Sequence, residues 1–211
     1  MIGVRFSIFF CVISEETFSS ERSTSMDNGA SSYRRFRDDG DESGLAEIIR
    51  QYRDGLIYYL FSYVGNIHTA EEIAEDVFVL LGTKRPKDNG KGAFRTWLYT
   101  IGRNQALNYL KQNKRYYTVS LDECGDVSDD AFAMEQSFIQ EEQKILLHRA
   151  IRKLKPEYRQ ILWLIYFADF SIKDAAAVMK KSVHSVETLV YRARKSLKLQ
   201  LEMEGFIYEK L

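Results

Sequence analysis

Apolar residues recur at three- and four-residue steps along most of this chain and nowhere alternate over a useful length, so the pattern predicts helices and no strand. The first stripe is Leu45, Ile48, Ile49, Tyr52, Leu56, Ile57, Leu60, Phe61 and Val64, and Gly65-Asn66 stops it. Thr69 with Glu72 reads as a capping box opening a second helix, whose inner side is Ile73, Val77, Phe78, Leu80 and Leu81. From Gly82 to Gly92 the pattern fails at Pro86, Asn89-Gly90 and Gly92, which predicts a loop. A third helix follows from about Ala93 to Gln112 with Phe94, Trp97, Leu98, Ile101, Leu107 and Leu110 as its stripe.

Large apolar residues then become rare from Thr118 to about Ser137, as expected of a linker. Helical spacing resumes at Ile145, Leu146, Ile151 and Leu154. Lys155-Pro156 marks a new helix start, because proline fits the first helical position, and Tyr158, Ile161, Leu162, Leu164 and Ile165 follow on it. Ser171 is placed to cap the next helix, with Asp174 as a short-armed capping-box partner and Ala175, Ala176, Val178 and Met179 as a small inner face. After Lys180-Lys181-Ser182, the residues Val186, Leu189, Val190, Ala193 and Leu197 give a last helix one buried side. This final pair has the form of a helix-turn-helix. The fold class expected is all-α: two small helical domains joined by an acidic flexible linker. The divisions are 1–44 as an unpatterned mobile leader, 45–117 as the first domain, 118–140 as the linker, 141–203 as the second domain and 204–211 as a tail.

Charge changes this picture from a scaffold into a partner map. Thirty basic and thirty acidic residues cancel over the whole chain but not locally. Lys84 to Arg115 carries nine Lys or Arg against one acid, Asp88, whereas Thr118 to Glu142 carries eight acids and no base. Two basic blocks flanking an acidic one describe two surfaces suited to phosphate and a segment that avoids it. Cys11 and Cys124 have no CxxC or His partner at ligand spacing, and His68, His148 and His184 are scattered, so neither a disulfide framework, a metal site nor a cofactor is expected.

The two basic blocks differ in chemistry. In the last helix, His184, Ser185, Glu187, Thr188, Tyr191, Arg192, Arg194 and Lys195 share the outer face, the set that reaches base edges and phosphates from a major groove. A helical hairpin with a polar face also occurs as a purely structural pair. Between Lys180 and Lys198, however, six Lys or Arg meet one acid, and a merely solvated helix mixes the signs more evenly. In the loop and third helix, Lys84, Arg85, Lys87, Lys91, Arg95, Arg103, Lys111, Lys114 and Arg115 alternate with Phe94, Trp97, Tyr99, Tyr109, Tyr116 and Tyr117, and Asn89, Asn104 and Asn108 add amides. Cations interleaved with rings suit single-stranded or opened nucleic acid more than closed duplex. Trp97, sharing its stripe with Phe94 and Ile101, reads as core before it reads as a stacking surface.

Ala70-Glu71-Glu72-Ile73-Ala74-Glu75-Asp76-Val77-Phe78, then Phe94-Arg95-Thr96-Trp97-Leu98-Tyr99-Thr100-Ile101-Gly102-Arg103-Asn104, then the helix-turn-helix, resemble in this order regions 2 and 4 of an extracytoplasmic-function sigma factor of the sigma-70 family. The resemblance covers roughly Leu45 to Leu201. It implies a non-enzymatic transcription initiation factor that binds the RNA polymerase core at its clamp and flap, recognises a minus-thirty-five element as duplex and opens a minus-ten element. Glu72, Asp76 and Phe78 would dock on the clamp. Lys84, Arg85, Lys87, Asn89, Lys91, Phe94, Arg95, Arg103, Asn104 and Lys111 would hold the opened minus-ten strand and a flipped base, whose extrusion costs a few kcal/mol that a pocket can offset. His184, Ser185, Glu187, Thr188, Tyr191, Arg192, Arg194 and Lys195 would serve the minus-thirty-five groove. An anti-sigma partner is implied too. The protein is placed in the bacterial cytoplasm without membrane insertion, an anti-sigma factor being the route by which it would be held at a membrane.

Three positions depart from the family pattern: Glu75 where Gln is usual, Lys180 where the turn commonly has Gly, and Glu187 where a basic residue is frequent. The last matters most, because a carboxylate accepts a hydrogen bond from cytosine and repels phosphate. The rival reading is a stand-alone helix-turn-helix regulator whose N-terminal helices sense or dimerise, but such a module has no need of the basic, aromatic stretch from Lys84 to Tyr117. A small recombinase is weaker still, since no nucleophile is paired with activating groups.

Ile2 to Ile13 is apolar but too short to span a bilayer, and Glu15-Glu16 stands where a cleavage site would need small residues. The stretch reads as a mobile leader or as sequence upstream of a true start at Met26. The intact mass of the native protein decides between them: a mass that includes residues before Met26 defeats the later start.

Overall fold

The computed structural model describes residues 28–88, 93–116, 146–147 and 149–205, and every regular element among them is helical. Helix α1 covers Gly29–Arg34 and runs on through a wider π-type turn, Arg35–Asp39, to Gly40 at φ 74°. The long α2, Glu42–Val64, is capped by Asp41, whose carboxylate accepts from the Ser43 amide, and ends at Gly65 with φ 72°. Both glycines occupy the left-handed region that closes a helix most cheaply without a Cβ. Helix α3 is Ile67–Lys84 and α4 is Phe94–Tyr116.

The start of α3 differs from the expected capping box. Asn66 is the cap, its side chain accepting from the Thr69 amide at 3.0 Å, so the helix begins before Thr69 and leaves Glu72 on the outer face. Asn is as good a cap as Ser or Asp, and an extended Asn66 satisfies the free amide a turn earlier.

The leader expected over 1–44 also needs correction. Residues 1–27 lie outside the described residues, but Gly29 to Asp39 is helical and packed on the first domain, with Tyr33 1% and Phe36 4% exposed. Two glycines make that docking geometrically available. A Cβ on Gly44 would sit 2.3 Å from the Ser32 carbonyl oxygen, and one on Gly29 would sit 2.5 Å from both Phe94 Cδ1 and Tyr52 Oη. Polar ties complete it: Ser32 Oγ donates to Glu47 at 2.7 Å, and Arg35 bridges Glu47 and Asp41. Tyr33 and Phe36, with the small Ala30 beside them, carry this segment into the core, too few large side chains to make a periodic stripe.

In the second domain a short helical stretch around 149–152 precedes α5, Pro156–Leu162, which has proline in its first turn and continues as a π-type turn, Trp163–Phe167. Helix α6 is Ile172–Met179 and α7 is Val183–Met203. Lys153 pairs with Glu204, tying the beginning of this domain to the end of α7. The proposed linker, 118–140, lies outside the described residues.

The domains meet through aromatic burial. Phe170, in the bend before α6, packs on Tyr99 of α4 with centroids 5.0 Å apart, and Tyr99 packs at a tilt on Tyr59 of α2 at 5.3 Å. Trp163 lies against Tyr58 at 5.4 Å, is stacked by Phe167 at 4.6 Å, and donates from Nε1 to the Gly55 carbonyl at 3.3 Å. Gly55 is where α2 must be bare, since a Cβ there would come within 2.6 Å of the Tyr99 hydroxyl. Thr96 adds a longer polar contact, its hydroxyl donating to Asp174 at 3.4 Å. Phe170 is therefore the side chain that closes the seam. Phe170→Ala is expected to cost about 3–5 kcal/mol in a urea unfolding measurement, the cost of emptying a buried phenylalanine site.

Candidate nucleic-acid interface

The helix-turn-helix is built as its spacing demands. Ser171 accepts from the Asp174 amide at 3.1 Å while its hydroxyl donates to the Asp174 carboxylate at 2.5 Å, which fixes the first turn of α6. Ala175, Ala176, Val178 and Met179 are buried, small enough for α7 to cross close by. The chain leaves α6 at Lys180 in the left-handed conformation, φ 54°. Ser182 then caps α7, accepting from the Ser185 amide at 3.2 Å. Val186, Leu189, Ala193, Leu197 and Leu201 form the buried side of α7, and Val190 packs at its edge.

That burial turns the opposite face outward. His184, Ser185, Glu187, Tyr191, Arg192 and Lys195 are exposed, Tyr191 at 68%, and Thr188 and Arg194 sit half-buried at the margin. The structure thus brings all eight expected minus-thirty-five residues onto one strip of helix. His184 Nδ1 lies 3.7 Å from the Glu187 carboxylate one turn on, and the Thr188 hydroxyl donates to the His184 carbonyl at 3.0 Å. An exposed ringed phenol, a carboxylate and two cations within a few turns can supply hydrogen bonds to base edges and charge to phosphates.

The second expected surface is less uniform. Lys84, Arg85 and Lys87 are exposed at the exit of α3, Lys111 is exposed on α4, and Asn104 is half-buried. Asn89 and Lys91 lie outside the described residues. Phe94 does not belong to a surface at all: it is 1% exposed, wedged between Tyr33, Tyr52 and Trp97 at 5.4–5.7 Å, because its place at the start of α4 faces α1 and α2. Arg95 is turned to the other domain, its guanidinium 4.3 Å over the Phe170 ring and donating to the Asp169 carbonyl at 3.0 Å. Arg103 points inward toward Tyr59 and Tyr63, its Nε buried without a hydrogen-bond partner. Burial pushes the Tyr63 hydroxyl above its ordinary range, against the pull of that guanidinium. Trp97 is half-buried on Tyr33, as its stripe suggested.

On α3, Glu72 and Asp76 are exposed, but Phe78 is only 6% exposed and belongs to the core, since its neighbour Val77 and the residues Ala74 and Leu81 share its inner side. The outward apolar residue here is Val79, 60% exposed. It lies three residues from Asp76 and seven from Glu72, on the acidic strip with Glu75. Its signal was present in the sequence as an apolar residue off the stripe.

With these surfaces placed, likeness to known proteins can be assigned to them. Residues 48–116 match the family model for sigma-70 region 2, and residues 144–197 match that for sigma-70 region 4, together more than half of the chain. The chain belongs to the sigma-70 family. As a sigma factor it directs RNA polymerase to promoters and is not an enzyme. The region 2 match falls where the rival reading needed a sensing or dimerisation module, so that reading gives way.

Among its relatives is the ECF RNA polymerase sigma factor SigW of Bacillus subtilis, 25% identical over 170 residues, covering 77% of this chain and 91% of that one. The ECF sigma factor BldN of Streptomyces coelicolor is 27% identical over 162 residues, covering 75% of this chain and 60% of its own length. The fold is shared with the sigma factor RpoE crystallised with the anti-sigma factor NepR from Bartonella quintana, at TM-score 0.59 and 19% identity over 74% of this chain and 96% of that one. It is shared also with CnrH in complex with the cytosolic domain of CnrY, at TM-score 0.57 and 19% identity over 83% and 95%.

The sigma factor's turn carries a removable strain. A non-glycine residue at φ 54° costs about 1–2 kcal/mol from its Cβ, of which glycine's greater chain freedom gives back part. Lys180→Gly is expected to stabilise the protein by about 1 kcal/mol, raising Tm by about 2–4 °C in calorimetry.

Proposed function

We propose that this sigma factor divides its work among three surfaces. The outer face of α7 reads the minus-thirty-five duplex, with Glu187, Thr188, Tyr191 and Arg192 toward base edges and His184, Ser185, Arg194 and Lys195 toward the groove walls and phosphates. The exit of α3 and the outer parts of α4, with Lys84, Arg85, Lys87, Asn104 and Lys111, hold the opened minus-ten strand, joined by Asn89 and Lys91 from the loop. The acidic strip Glu72, Glu75 and Asp76 with the exposed Val79 docks on the polymerase clamp; Phe78 supports that strip from beneath.

One observation supports the reading above the rest: α7 buries a single face in the domain and leaves the whole candidate set on the opposite side, in the arrangement a groove-reading helix needs. The same packing gives Glu187 its place at the front of the set. A carboxylate there accepts from cytosine N4, and its neighbour His184 at 3.7 Å limits how freely it swings. In this reading the first unit includes α1, so it begins near residue 28 rather than 45, and runs to 116; the second spans 141–203, and the acidic stretch from 118 to 140 threads basic channels of the polymerase. Two fold neighbours were solved with anti-sigma factors, which supports such a partner for this chain. No described helix is long and apolar enough to cross a membrane, in keeping with a cytoplasmic protein that an anti-sigma factor would hold at the membrane.

Two experiments test this. Core polymerase supplemented with the protein is expected to initiate from defined genomic fragments in vitro, and a failure on every fragment overturns the reading. In a promoter selection by that holoenzyme, Glu187→Lys is expected to shift base preference within the minus-thirty-five element by about tenfold, the scale of one base contact. An unchanged preference removes Glu187 from the readers.

A further inference from the structure

Helix α1 and the turn after it converge on the place where the chain leaves α3. Tyr33 is 1% exposed, and its hydroxyl donates to the Pro86 carbonyl at 2.7 Å. The same ring lies 5.4 Å from Phe94 and 5.3 Å from Trp97, at the start of α4. A single side chain thus touches both stems of the connection between α3 and α4. Phe36 contributes a second hold, the Arg85 guanidinium lying 4.7 Å over its ring.

The stem needs holding. Arg85 sits in the left-handed region at φ 44°, and it also precedes a proline, whose ring crowds the preceding residue out of helical conformations. Such a conformation persists only where the surroundings over-determine it. Here two of those surroundings, Tyr33 and Phe36, come from outside the sequence of α3 and α4. Packing alone would be satisfied by a phenyl ring at position 33; the hydroxyl is spent on the loop's backbone. Burial pushes that hydroxyl up to about 12, so Tyr33 remains a protonated donor at any pH at which transcription runs.

We propose that Tyr33 is a positioning residue for minus-ten opening, fixing from α1 the stem that carries Lys84, Arg85 and Lys87 against the start of α4. The inference rests on the reading of that stem as minus-ten-binding and deepens it. Tyr33 touches no base. It sets the direction in which the three cations leave α3, and a cation displaced by a small fraction of its reach loses much of its grip on one particular phosphate.

The test uses holoenzyme assembled from core polymerase and the full chain, on a promoter fragment that it transcribes, with 2-aminopurine in the minus-ten element to report base unstacking. Tyr33→Phe keeps the ring and removes the donor. It is expected to lower the opening equilibrium about fivefold, the worth of one hydrogen bond, with Tm down by no more than about 2–4 °C and with core affinity and binding of a closed minus-thirty-five duplex unchanged. The double variant Lys84→Ala/Lys87→Ala, measured beside it, is expected to lose at least as much. If the double variant is impaired and Tyr33→Phe opens normally, the positioning role is overturned and the stem reading stands. If both open normally, the stem reading itself fails and takes this inference with it. If Tyr33→Phe lowers core affinity and closed-duplex binding along with opening, Tyr33 is a structural residue and the proposal is wrong.

Discussion

Helix α2 is the constraint on which the rest of the molecule depends, because α1, α3, α4 and the second domain all claim part of its surface. Its buried set includes Ile48, Tyr52, Leu56, Ile57, Tyr59, Leu60 and Tyr63, which is more than one stripe of a helix can present. Helices so crowded need positions where backbones approach closely. Gly44 admits the backbone of α1, Gly55 admits the Tyr99 hydroxyl, and Gly102 of α4 lies where a Cβ would meet Leu56 at 2.8 Å. The polar consequences follow from the same crowding: the hydroxyls of Tyr59 and Tyr63 hydrogen-bond to each other at 2.8 Å, and burial holds Tyr59 well above the ordinary phenol range and raises Tyr63 too.

Much of this was legible beforehand, and the reason differs from element to element. The stripe of α7 and the Ser171 and Ser182 caps were readable because both are local: period and capping depend on residues within one turn of each other. The helix-turn-helix and the region 2 helices were therefore found by spacing, though α3 starts at an Asn66 cap rather than at Thr69, and the outward face of α7 followed by subtraction. Three readings failed where the deciding contact is distant in sequence. Helix α1 is held by Gly44, Glu47 and Phe94, none of which a local pattern can connect to Tyr33. Phe94 looked like a stacking ring beside cations, yet its surroundings are supplied by α1 and α2. Arg95 looked available for phosphate and instead lies on Phe170, 75 residues further along the chain.

Phe78 and Val79 show the finer limit of periodicity. Val77, Phe78, Val79, Leu80 and Leu81 are all apolar, and spacing put Val77, Phe78, Leu80 and Leu81 on the inner side of α3 with Val79 off it. Packing against α2 and α4 selects Val77, Phe78 and Leu81 and leaves Val79 outside. An apolar residue left on an acidic strip is the kind of contact that a docking surface uses and a solvated helix does not need.

The seam at Phe170 sets a length against a length. Elements centred near minus ten and minus thirty-five are about 25 base pairs apart, roughly 85 Å of duplex at the rise of B-DNA. In this structure Arg95 of α4 hydrogen-bonds to the joint before α6, which holds the two helical domains against each other. In the proposed reading, a seam that parts to let the domains reach both elements also uncovers Arg95 and Thr96. In that reading, reaching across the promoter and baring the start of α4 are a single movement.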